Sequence, residues 1–146
     1  MPGTDRYPAA YVQAARDEIA AQIRAYRDLV GAASKASGMS LTRIDAALAA
    51  FEPAFFNNLL IALEMRFVHR LRGVEGKDGH PLDEVRMLAA SLTDNAGALA
   101  SDPAIEYDAG KAVLKIDIGE RIALNADDFE ALCTAFLAEI ERKFSA

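Results

Sequence analysis

The sequence predicts a mainly α protein, a bundle of four or five helices with a small antiparallel β-hairpin inserted before the C-terminal helix. Three observations carry that expectation. Apolar residues recur at helical spacing through most of the chain. Capping and breaking residues fall between those stretches. The period shortens to two residues in one place only, between Ile105 and Leu124. With 146 residues and no internal repeat or linker, the chain reads as a single helical domain over 1–146.

The first helix is expected over residues 9–37. Val12, Ile19, Tyr26 and Ala33 recur every seven, with Ala15, Ile23 and Val30 beside them. Its length would be roughly 45 Å at 1.5 Å per residue, with Gly38 offering a left-handed C-cap. Ser40 can cap a second helix that runs to Phe51, where Pro53 either kinks or restarts it. From Pro53 to Arg72 the pattern is apolar almost all round, as in a helix central to a bundle or covered by a second subunit. The glycine-punctuated loop GVEGKDGH follows. Pro81 suits the first turn of the next helix, with Asp83 and Glu84 at its positive end and a stop near Asn95 to Gly97. Leu114, Ile116 and Ile118 then alternate with Val113, Lys115 and Asp117, which predicts two or three short strands. Asn125 caps the last helix with Asp128 at its third position, and Phe129, Leu132, Cys133, Phe136, Ile140 and Phe144 make its apolar face.

Composition narrows the function. A net charge of −6 argues against double-stranded DNA, whose affinity rests on phosphate neutralisation. No apolar run approaches the roughly 20 residues that span a bilayer, so no membrane partner is expected. The start MPGTDRYPAAYVQ lacks the pattern of a secretory signal, and Cys133 is alone. Together these point to the cytoplasm.

Several chemical motifs are missing. Gly73, Gly76 and Gly79 have the wrong spacing for a phosphate loop, and no strand precedes them. His69 and His80 are eleven apart with neither HExxH nor a carboxylate–histidine repeat, so no metal or cofactor is expected. GxSxG and SxxK are absent, and Cys133 reads as a small core residue.

The stretch RFVHRLR is the exception. It carries +3 in a chain of net −6, leaving −9 for the rest. Arg66, His69 and Arg72 are spaced by three on the predicted helix, with Arg70 one turn beyond Arg66. Arginines bind phosphate or carboxylate bidentately, and His69 beside a phosphodiester can serve as acid or base. Lys77 in the loop and Arg86 on the following helix extend the cationic surface. The competing reading is structural, with these residues closing a helix end and pairing with Glu75, Asp78, Asp83 and Glu84.

From about Phe55 to Phe144 the chain resembles the HEPN superfamily of small helical bundles. EVRMLAASLTDNAG and KIDIGERIALNADDFEAL carry the likeness. The resemblance implies a helical bundle, a dimer and, in active members, metal-independent ribonuclease chemistry by an arginine and a histidine that meet across the dimer interface. This chain departs from that pattern. With Asn95 and Gly97 on the family's Asn and Gly, Asp94 stands where the histidine belongs and Ala89 and Ala90 at the Arg-Asn pair; Arg86 is the nearest arginine. The resulting expectation is a non-enzymatic, homodimeric binding or regulatory protein. Its surface for an anionic small molecule, an RNA or an acidic partner is Arg66, His69, Arg70, Arg72, Lys77 and Arg86. The alternative is a phosphodiesterase or ribonuclease using His69 with Arg66 and Arg72.

Overall fold

A computed structural model describes residues 3–36, 41–78 and 80–145. Among the described residues five helices follow in order: α1 Ala9–Ala36, α2 Leu41–Arg66, α3 Arg72–Glu75, α4 Pro81–Asp94 and α5 Ala126–Phe144. The expected caps at Gly38 and Ser40, and the third loop glycine, Gly79, lie outside the described residues.

Local chemistry accounts for most boundaries. Helix α5 begins with the predicted capping box, in which Asn125 accepts from the Asp128 amide while Asp128 accepts from the Asn125 amide. Pro81 opens α4 at its first turn, and Asn95 closes it. The buried residues of α1, namely Val12, Ala15, Ile19, Ile23 and Tyr26, step by three and four along one stripe. They meet α5 and α2, while α4 packs against both α2 and α5. Phe56, Phe67, Phe129, Phe136 and Phe144 are fully buried at the centre. The N-terminal segment is tied down as well. Thr4 donates to the His69 carbonyl at 2.7 Å and Tyr7 to that of Phe144 at 2.7 Å. A Cβ at Gly3 would come within 2.8 Å of the His69 carbonyl oxygen, so the close approach requires glycine.

Two expectations are corrected. Helix α2 runs through Pro53 without a break and stops at Arg66, six residues short of the expected end. Its last turn tightens as the Phe67 amide reaches back to Glu64, and the Phe67 carbonyl is taken by the Arg70 guanidinium at 2.9 Å. Residues 69–71 then pair with Thr4 instead of continuing the helix. Because Pro53 does not divide it, Arg43–Arg66 is long and apolar enough to cross a membrane by length and composition, contrary to the expectation that no segment is.

The second correction is the hairpin. Among the described residues there is no strand between α4 and α5, only a single antiparallel bridge between Ala98 and Arg121. Lys115 adopts φ +56°, which breaks the extended run that alternation suggested. Side chains from the helices replace the ladder. Glu84 accepts the amides of Val113 at 2.8 Å and Leu114 at 3.0 Å. Asn57 of α2 donates to the Ile122 carbonyl and accepts from the Leu124 amide, both at 3.1 Å. Of the alternating residues, Ile116 joins the core and Leu114 packs against it, while Ile118 is exposed; Ile105, Ile122 and Leu124 of the same segment are buried as well.

Candidate functional site

The junction between α2 and α4 holds most of the cationic residues singled out in the sequence. They do not share one helix face, because α2 has ended before His69. Instead Arg70, Arg72 and Arg86 converge on Glu75, the last residue of α3, which is fully buried. The Arg70 side chain is completely enclosed. It donates to Glu75, to Glu64 at 2.8 Å and to the carbonyls of Phe67 at 2.9 Å and Leu82 at 3.1 Å, and its guanidinium lies 5.2 Å from the centre of the Phe136 ring. Arg86 reaches Glu75 at 2.9 Å and approaches Glu64 at 3.9 Å. Burial pushes the Glu64 carboxyl above the usual carboxylate range, against the pull of Arg70 and Arg86. The same cluster faces the Tyr7 phenol, whose pKa is pushed up to about 12, mainly by burial.

Arg66 is held elsewhere, in an ion pair with Glu18 of α1 at 2.5 Å. His69 sits on an exposed turn, and its carbonyl is what the fold uses. The structure thus brings Arg70, Arg72 and Arg86 together around two carboxylates and leaves Arg66 and His69 outside that group.

His80 has a different job. Its Nδ1 accepts the Leu82 amide at 3.1 Å and so caps α4. The Nε2 edge faces the Glu75 carbonyl and lies 3.2 Å from Asp78 and 3.6 Å from Asp83. Asp78, His80 and Asp83 are close enough together to suggest a metal centre. The donor set does not fit one. A neutral imidazole has a single lone pair, and the helix cap uses it at Nδ1, so Nε2 carries the proton and donates. His80→Ala should therefore cost about 1 kcal/mol of stability and His80→Asn much less, since asparagine is also an N-cap acceptor; urea titrations of the two variants check it. Equal losses would show that packing of the ring, not the cap, is what matters.

Lys77 is exposed and, with Arg72, Gly73, Gly76 and Ala104, lines an open groove of about 550 Å³. Cys133 is buried on α5, and burial pushes its thiol pKa well up, which suits the expected core role. The residues that organise the junction, Glu64 and Glu75, were not candidates in the sequence as sites. A signal existed for the first: Glu64 is the lone charge in LLIALEM, an apolar run on a core helix.

The other unusual surface is α2 itself. In Arg43–Arg66, Leu48, Phe55 and Leu59 are partly buried against the core. Phe56, Leu60 and Leu63 face the core, while Phe51 and Met65 keep 46% and 62% of their surface exposed. Leu29 of α1 is 65% exposed. It stands eleven residues, three helical turns, beyond Glu18, which pairs with Arg66 of α2. Leu29 therefore lies on the flank of α1 that adjoins α2. No protein-family model matches this chain, and neither a curated protein nor a solved structure matches it significantly.

Proposed function

We propose that this chain is a non-enzymatic, HEPN-like binding and regulatory protein that works in the cytoplasm as a homodimer. One observation carries the reading: the outward face of the most apolar helix of the fold carries the exposed Phe51, Ala54, Ala62 and Met65. Monomers seldom expose a contiguous apolar surface of that kind unless something binds it. The cationic junction supports a structural rather than a chemical role, since Arg70, Arg72 and Arg86 are matched to Glu64 and Glu75. Light scattering on the eluting protein should give twice the chain mass, and Phe51→Glu should shift it toward the chain mass with the helical signal intact. A wild type that stays monomeric at every concentration up to several hundred micromolar sinks the proposal.

The groove beside α3 favours a second reading, in which an anionic small molecule or an RNA end docks against Arg72 and Lys77. Lys77→Ala should then weaken binding of a short 5′-phosphorylated RNA by about tenfold, because one charge-assisted contact contributes roughly 1.5 kcal/mol. Unchanged affinity, or none in the wild type, removes the groove as the binding surface.

A further inference from the structure

Between Phe51 and Arg66, the exposed residues of α2 are Phe51, Ala54, Asn58, Ala62 and Met65. Their spacing is three, four, four and three, symmetric about Asn58. Their sizes are symmetric too: large, small, polar, small, large. A face of that kind is complementary to itself when a second copy is turned end over end about an axis through Asn58. We infer that two chains pair through α2 as antiparallel helices, Asn58 meeting the partner's Asn58, Phe51 the partner's Met65, and Ala54 the partner's Ala62. The inference rests on the homodimer reading above and fixes which surface and which direction that dimer uses.

Each contact has a physical reason. Alanines on both sides of the axis let the helix backbones approach closely, and a residue that contacts its symmetry mate defines a two-fold interface. Asparagine carries donors and an acceptor, so two Asn58 side chains can exchange hydrogen bonds across the axis. A polar residue at one such position fixes register at some cost in stability. Phe51 against the partner's Met65 supplies two thioether–aromatic contacts, one on each side of the axis. Antiparallel helices also set opposite macrodipole ends side by side.

The chemistry of the face favours a second copy over other occupants. None of the five residues is charged, so nothing on it calls for an acidic or basic partner. A polar Asn58 at its centre is costly against lipid and satisfied against its own mate. With the axis at Asn58 and α2 ending at Arg66, the paired helices overlap over roughly 25 Å of length and about 10 Å across, a footprint of roughly 250 Å². A standard interface buries about 800 Å² per partner. The adjoining flank of α1 at Leu29 supplies the next apolar surface outward.

Cysteine scanning of the full chain under mild oxidation tests direction as well as contact. Cys133 is buried and 3% exposed, so the wild type should not cross-link. Asn58→Cys should cross-link with itself. Phe51→Cys and Met65→Cys should each fail alone and cross-link when mixed. Self cross-linking of Phe51→Cys and of Met65→Cys would mean parallel helices, overturning this inference while the homodimer stands. Twice the chain mass with no cross-link from any variant would place the dimer on another face and also overturn it. A monomer that sediments with phosphatidylcholine vesicles would assign the face to lipid and remove the homodimer with it.

Discussion

Glu75→Gln is expected to destabilise the protein by about 3–5 kcal/mol, the range for removing one partner of a buried ion pair. The amide keeps the shape of the carboxylate but not its charge. Arg70, whose side chain has no exposed surface, would keep only the Glu64 carboxylate as a counter-ion, and Arg86 would lose its 2.9 Å partner. For a domain of this size the loss corresponds to a fall in Tm of about 10 °C or more. Urea denaturation followed by circular dichroism reads it directly. The double replacement Arg70→Met with Glu75→Met should cost less than the sum of the two single changes, because neither member of that pair is then left without the other, and Glu64 and Arg86, 3.9 Å apart, remain to pair with each other. A loss below about 1 kcal/mol in Glu75→Gln would show the arginines reaching water or another anion, and the junction would again be a candidate ligand site.

Glu84→Ala is expected to cost about 2–4 kcal/mol. The carboxylate sits at the start of α4, 1% exposed, and receives two backbone amides from a segment that has no strand partner. Leaving a buried donor unsatisfied costs roughly 1–3 kcal/mol each, and water reaching the half-buried segment recovers part of it. Hydrogen exchange should quicken most at Val113 and Leu114, with α1 little affected. Uniform quickening would mean that Glu84 supports the whole bundle and not this one segment.

The same residue sets a pH dependence. Burial pushes the Glu84 and Glu64 carboxyls above their ordinary value, despite backbone donors at Glu84 and arginines at Glu64. The folded state then holds protons that the unfolded chain, with a glutamate value of about 4.3, has released. Stability from these two groups is complete below the unfolded value and is lost as pH rises through the raised folded value. Glu139 works in the opposite sense, lowered by its hydrogen bond to Arg142, so it contributes stability above the unfolded value that is lost as pH falls through its own. That pair is exposed on the arginine side and counts for less. The net expectation is unfolding free energy that declines from about pH 4.5 toward neutrality. In Glu84→Gln the decline should be shallower. A stability that climbs steadily over that interval contradicts the assignment.

The sequence by itself determined the features that short-range chemistry dictates. The buried stripe of α1, the capping box of α5 and proline at the first turn of α4 each depend on residues within one or two turns of each other, so their spacing suffices. The basic residues around RFVHRLR were legible as unusual for the same reason, and Glu75 was named among the carboxylates near enough to pair with them. Tertiary structure decided the rest. Alternation around Ile116 suggested a strand, yet Ile118 is exposed and the amide of Val113 is met by Glu84, 29 residues away, and not by a neighbouring strand. Helix α2 ends where Arg70 captures the Phe67 carbonyl three residues back and where Thr4, distant in sequence, pairs with residues 69–71. Whether an arginine faces a ligand or a carboxylate is decided the same way. Its charge is local, but the partner that offsets the cost of burying it is chosen by the fold.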